Sequence, residues 1–264
     1  MPTPSVHLIC NAHLDPVWQW EWEEGAAEAI STFRTAADLC DEFPEFVFCH
    51  NEALLYEWVE EYEPALFARI QRLVAAGRWH IMGGWHLQPD CNMPSGESFV
   101  RQALTGRAYF AAKFGVRPTT AVNFDPFGHT RGLVQILAKC GYDAYVFCRP
   151  SPHECQLPAE RFEWVGYDGS TVLAQRFGAY NSPLGRAREH VAGWLERRAP
   201  QEVDALLWGV GNHGGGPSRA DLQALREFMA SSSEPEIRHS NLDRFWEEVR
   251  AEGADLPRHE RDIN

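Results

Sequence analysis

The sequence predicts an α/β fold: a closed β/α barrel of parallel strands ringed by helices, or such a barrel lacking one strand. Three observations predict it. Short apolar runs alternate with amphipathic helical stretches along the whole chain. Those runs are apolar throughout, as in strands covered on both faces. Polar residues recur where each run ends, and in a β/α barrel that is the face that carries chemistry. The 264 residues are 44% hydrophobic and 23% charged, enough to bury one sizeable core.

The first run covers residues 6–11 and leads into a helix over 21–40. Runs at 46–49, 79–85, 120–124 and 144–148 follow, separated by helices over 52–76, 95–114 and 133–140. Residues 162–165 and 172–177 flank Tyr167-Asp-Gly-Ser170 and read as a β-hairpin. The run 205–210 precedes a helix over 219–230, and 236–239 precedes one over 242–251. Ser95 with Ser98, or Gly96-Glu97, opens the helix after the third run.

Composition narrows the function. The chain has 24 Lys plus Arg against 37 Asp plus Glu, a formal net charge of −13. Phosphate backbones repel such a chain, which argues against nucleic acid but not against a neutral sugar. No apolar run approaches the roughly 18 residues of a membrane helix, and the N-terminus has no signal core. Seven cysteines, an odd count without CxxC spacing, read as reduced, buried thiols of a cytoplasmic protein.

The strand ends hold the candidate chemistry. His13-Leu-Asp15 leaves the first run. Residues two apart in an extended segment point the same way, so an imidazole and a carboxylate can reach one ion; zinc accepts such N and O ligands. Asp15 as a helix N-cap is the plain alternative. Pro16 fixes the turn that follows, and Trp18 offers a flat apolar wall. Asp125 ends the fourth run before Pro126, which restricts its backbone. It is a nucleophile, a base or a third metal ligand. His129 reads as a helix cap or as a partner of a neighbouring carboxylate. Trp85 and Asp90 lie in a loop that could face a sugar, although an Asp there also satisfies local backbone groups. Arg149 follows the fifth run. The Gly-rich segment 209–218 lacks the Lys of a phosphate-binding loop and reads as close backbone approach to a neutral ligand, presenting Asn212 and His213.

In order along the chain, His13-Leu-Asp-Pro-Val-Trp18, Gly83-Gly-Trp85 with Pro89-Asp-Cys-Asn92, Asp125-Pro-Phe-Gly-His129 and Gly211-Asn-His-Gly-Gly-Gly-Pro217 resemble the N-terminal catalytic domain of family 38 α-mannosidases of the bacterial or cytosolic type. The resemblance covers nearly the whole chain. It implies a seven-stranded β/α barrel over 1–264, one zinc ion, and retaining hydrolysis of terminal non-reducing α-mannose. It implies His13 and Asp15 as zinc ligands, and Asp125 as the nucleophile that also touches zinc. Trp18, Phe127 and Arg149 match sugar-subsite positions. An oligosaccharide or mannoside is the implied partner, and a homo-oligomer of the full-length enzyme is compatible with it. Some members carry an Asp as general acid near the Gly-rich turn, where this chain has Asn212-His213; His213 and Asp90 are the candidates left. The family's further zinc-binding His and its helical and β-rich domains lie beyond position 264. The expectation is therefore a barrel that folds but does not turn over mannosides by itself. Two rivals are a metal-dependent polysaccharide deacetylase, which releases acetate through metal-bound water, and a catalytically incomplete carbohydrate-binding fragment.

Overall fold

The structure, a computed structural model, describes residues 4–198, 202–211, 213–232 and 235–264. It divides into two compact units of interleaved segments. The first comprises Met1–His50, Leu55–His80 and Ala179–Gly253, and the second Asn51–Leu54, Ile81–Gly178 and Ala254–Asn264.

Strand β1 (Ser5–Cys10) is the centre of the first sheet, and all six of its residues are buried. It runs parallel to β8 (Val203–Trp208) along its whole length, from Ser5 opposite Val203 to Cys10 opposite Trp208. On its other edge β9 (Glu236–His239) pairs with Ser5–Leu8, and β2 (Phe48–His50) takes over at Cys10 opposite Phe48. β3 (Trp79–Ile81) lies outside β2. Burial on both faces explains why β1 and β8 are largely apolar runs rather than alternating ones. Among the buried polar residues of β1 is His7, whose Nδ1 lies 2.7 Å from the Ser240 hydroxyl and whose Nε2 lies 3.0 Å from Glu248. Helix α1 (Trp22–Glu42) buries Ala26, Ala29, Phe33, Ala36, Ala37 and Cys40, a stripe at helical spacing.

The single helix expected over 52–76 is two: α2 (Ala53–Tyr62) and α3 (Pro64–Ala75). Pro64 has no N–H to continue α2, and it pushes Glu63 out of the helical region, to φ −137° and ψ 64°. The same proline is well placed as the first residue of the next helix.

The second unit holds α4 (Gly96–Phe114), β4 (Thr120–Asn123), α5 (Gly132–Lys139), β5 (Ala144–Phe147), β6 (Arg161–Val165) and β7 (Thr171–Arg176). Ser95 caps α4, its hydroxyl accepting the Ser98 N–H, and Gly115 ends it at φ 70°. Trp85, Phe99, Leu133, Leu137, Tyr145, Phe147, Phe162 and Trp164 form the core. The first unit adds α6 (Ala187–Arg197), α7 (Arg219–Ser231) and α8 (Leu242–Glu252), and a two-residue strand β10 (Arg258–His259) joins the second sheet. Its order is β10-β6-β7-β5-β4.

The seven-stranded barrel is corrected: among the described residues the strands form two open five-stranded sheets and no closed ring. The fold is α/β with largely parallel sheets. Two local features depart from a uniform parallel ring. β6 and β7 are an antiparallel hairpin, Arg161 opposite Gln175, so the parallel succession reverses there. β3 stops after three residues because Gly83 and Gly84 take φ 74° and 82°, outside strand geometry. One backbone bond links that exit to β4, from the Gly83 N–H to the Thr120 carbonyl at 3.1 Å. Among the described residues no helix is long and apolar enough to cross a membrane.

Candidate active site

In the first unit, the end of β1 delivers Asn11, His13 and Asp15. Asn11 is buried and donates from its amide to the carbonyls of Tyr180 at 2.9 Å and Trp208 at 3.3 Å, which fixes the exit of the strand. His13 is 7% exposed and stacks on Tyr180, with ring centroids 4.4 Å apart. Its Nε2 lies 3.3 Å from Asp15 Oδ1. In a tetrahedral site with ligand distances of about 2.0–2.1 Å, two adjacent donor atoms stand about 3.3 Å apart. This nitrogen–oxygen pair thus fits one edge of a zinc tetrahedron. Among the described residues no three His, Cys, Asp or Glu side chains form a metal-holding group, so the expected trio of His13, Asp15 and Asp125 is represented by its first two members. Trp20, which sequence reasoning did not single out, supports the pair: its indole N–H donates to the Asp15 carbonyl at 3.1 Å. The alternation Trp18-Gln-Trp20-Glu-Trp22 carried that signal.

The Gly-rich segment also belongs to this unit, and two of its glycines let it run close to the end of β1. Gly209 has φ 118°, and a Cβ there would overlap the Asn11 carbonyl oxygen. A Cβ on Gly211 would lie 3.1 Å from the His13 backbone nitrogen and Cβ. The segment is therefore packed against β1's exit. His213 is exposed, pairs with Glu24 at 2.9 Å and meets the edge of Trp20, with ring centroids 4.0 Å apart. Asn212 lies outside the described residues.

In the second unit, Asp125 follows β4. Its Oδ1 accepts from Arg149 Nε at 2.6 Å, and the Arg149 guanidinium lies 5.0 Å above the Phe127 ring, which is 72% exposed. Arg149 is held from behind. Its carbonyl accepts from His129 Nε2 at 2.6 Å, which fixes that ring's proton and leaves Nδ1 to accept the Tyr145 hydroxyl at 2.6 Å. Burial pushes His129 down to about 4, against the opposing pull of the Arg149 carbonyl bond and Asp90. His129 is thus a neutral strut, bonded to a hydroxyl and a carbonyl instead of a carboxylate or a helix end. Buried Arg176 secures the segment after Arg149, reaching the carbonyls of Pro150 and Cys155 and both oxygens of Glu160. It was legible only as an Arg closing a strand.

Two expected sugar-facing residues have other surroundings. Trp85 is fully buried in the core, donates its indole N–H to Asn123 Oδ1 at 3.0 Å and presents no surface to a ligand. Asp90 Oδ1 accepts the backbone N–H groups of Asn92 and Met93, each at 2.8 Å, and so closes a local turn. Trp18 is 61% exposed, as a residue that meets a ligand can be.

Comparison with known proteins adds to this geometry. The model of the glycosyl hydrolases family 38 N-terminal domain matches residues 3–262. Alpha-mannosidase G of Dictyostelium discoideum is 30% identical over 92% of this chain and 23% of its own length. Alpha-mannosidase 2C1 of Homo sapiens is 29% identical over 96% of this chain and 25% of its own. Among solved structures, an alpha-mannosidase from Enterococcus faecalis V583 superposes with a TM-score of 0.84 at 22% identity, over 98% of this chain and 31% of that one, a likeness of fold. The chain spans about a quarter of the length of the curated relatives it matches. With the family model matching nearly every residue, the chain belongs to the glycosyl hydrolases of family 38 as their N-terminal domain.

Proposed function

We propose that this chain is the catalytic domain of a zinc-dependent α-mannosidase that removes terminal non-reducing α-mannose with retention of configuration. The observation that carries the proposal is the donor pair at the end of β1, His13 Nε2 and Asp15 Oδ1 at 3.3 Å. The α-mannosidase names of the relatives support the substrate class. His13 and Asp15 would hold the ion, with Asp125 as a further ligand on the strength of the motif match. A bound zinc would supply a Lewis-acidic seat for the 2- and 3-hydroxyls, which are cis in mannose and can chelate one ion.

This chain's residues do the rest. Asp125 attacks the anomeric carbon. The carboxylate–carbon bond forms as the bond to the leaving oxygen breaks, and that oxygen takes a proton from a general acid. Water then releases mannose from the glycosyl-enzyme. Arg149 and Phe127 orient the nucleophile, the first by a charge-assisted bond and the second as an apolar floor. Both candidate acids have partners, Asp90 in two backbone N–H groups and His213 in Glu24 at 2.9 Å, and the acid is left unassigned between them. Seven free cysteines support a reducing, cytoplasmic setting.

The test is hydrolysis of an aryl α-mannoside by the full-length enzyme that carries this domain, before and after chelation and with zinc restored, with NMR of the first anomer released. Zinc-dependent release of α-mannose is expected. Release of the β-anomer, or turnover indifferent to chelation, would overturn the proposal.

A further inference from the structure

Beyond the His13–Asp15 pair and Trp18 lie further aromatic residues to which the proposed reaction assigns no role. Trp18, Trp20 and Trp22 are alternate residues of one segment, spanning at most about 14 Å of backbone. Trp18 meets Trp20 edge-on at 5.5 Å, and Trp20 is fixed to the Asp15 carbonyl. Trp22 begins α1 and lies 6.2 Å from Trp58 of α2, the rings tilted by 38°. Tyr62 is four residues beyond Trp58, on the same face of α2. Trp22 is 43% exposed and Tyr62 48%. The segment is not loosely tethered, because Pro16 presses against Gly25 of α1 so closely that a Cβ on Gly25 would overlap the Pro16 carbonyl.

Exposed large aromatics gathered this way mark a binding surface. The charges beside them select the ligand. Glu61 and Glu23 border Tyr62, where they add to desolvation in raising its hydroxyl's pKa. Rings that cover the C–H faces of a sugar, beside carboxylates that accept from its hydroxyls, suit a neutral carbohydrate and repel a phosphorylated or acidic one. Trp22 follows by two residues Trp20, which is bonded to the Asp15 carbonyl, so the platform and the proposed metal pair share one stretch of chain.

We propose that Trp22, Trp58 and Tyr62 form a distal stacking platform for the second and later residues of a neutral manno-oligosaccharide. The substrate class is then an oligosaccharide chain rather than an isolated mannoside. The inference rests on the function proposed above.

The experiment titrates the whole chain, loaded with zinc, with α-linked mannotriose and separately with an aryl α-mannoside, following tryptophan fluorescence and calorimetry. The wild type is expected to prefer the trisaccharide, and Trp22→Ala or Tyr62→Ala to lower the trisaccharide-to-monosaccharide affinity ratio about tenfold, as loss of one apolar ring contact implies. Trp22→Phe, which keeps a ring, should restore most of the ratio and shows that lost folding is not the cause. An unchanged ratio in all variants overturns the platform. So does sedimentation showing that the wild type self-associates through this face and that Trp22→Ala does not, which makes it a protein interface. If the ratio falls as expected while the full-length enzyme hydrolyses no mannoside, the platform stands and the hydrolase reading fails.

Discussion

Two Asp-Pro turns, one in each unit, use the same backbone device for different ends. Asp15-Pro16-Val17 follows β1 and Asp125-Pro126-Phe127 follows β4. The two carboxylates are almost equally exposed, 31% and 30%, and each is followed two residues later by an exposed apolar side chain. What differs is the partner. Asp15 faces an imidazole, which has a lone pair to share when neutral. Asp125 faces a guanidinium, which has none and cannot lose its charge. The first pair is therefore suited to gripping a cation. The second is suited to aiming one ionised carboxylate. The proline sets the backbone, and the partner sets the chemistry.

Exchanging the groups one at a time can break that contrast. In the full-length enzyme, Asp125→Asn should lower kcat on an aryl α-mannoside by at least about a thousandfold while sugar binding persists, since an amide can hydrogen-bond but not attack. Retention of more than about a tenth of kcat would remove Asp125 from the nucleophile's role. Asn212→Asp puts a carboxyl in the Gly-rich turn, near which the family resemblance implies an acid, and should raise kcat of the full-length enzyme by about a hundredfold, the low end of general-acid effects. No gain would place the acid elsewhere. His13→Ala should weaken zinc binding by at least about a hundredfold, read by competition with a chelator. Arg149→Gln should leave zinc affinity within a few-fold and lower kcat ten- to a hundredfold, roughly the loss of one charge-assisted contact. Equal losses of zinc in both variants would erase the distinction between the turns.

A smaller effect appears in stability. Burial holds both His129 and His239 down at about 4, below the ordinary value of about 6.5. The folded rings stay neutral where unfolded ones take up protons. Their contribution is therefore present above pH 6.5, declines as pH falls and is lost near pH 4, by up to about 3 kcal/mol each. Denaturant midpoints at pH 7 and pH 4.5 should show the decline, and His239→Phe should flatten it. An unchanged slope in that variant would mean the ring is protonated in the fold.

Much of the architecture was legible because burial writes itself into sequence. Glu236–His239 is the strand expected at 236–239, and Ser95 caps the helix it was expected to open. Helix α6 escaped because only Ala187 and Val191 of its residues are buried, too few for an apolar period. The break at Pro64 was written in the sequence but masked by the apolar rhythm that continues on both sides of it. The site was legible as donor types at strand ends, His13 with Asp15 and Asp125 with Arg149. Its supports were not. That His129 braces Arg149, that Gly209 yields to Asn11 and that Trp85 supports Asn123 depend on residues 20 to 198 positions apart, which no local pattern records.

The most direct test of the division between the two turns is to trap the intermediate. The full-length enzyme that carries this domain, loaded with zinc, is incubated with a fluorinated mannosyl fluoride, digested, and its peptides weighed. The account predicts one added fluoromannosyl group, on Asp125, absent from Asp125→Asn. Label on Asp15 or on another carboxylate, or turnover of the reagent with Asp125 unlabelled, would contradict it.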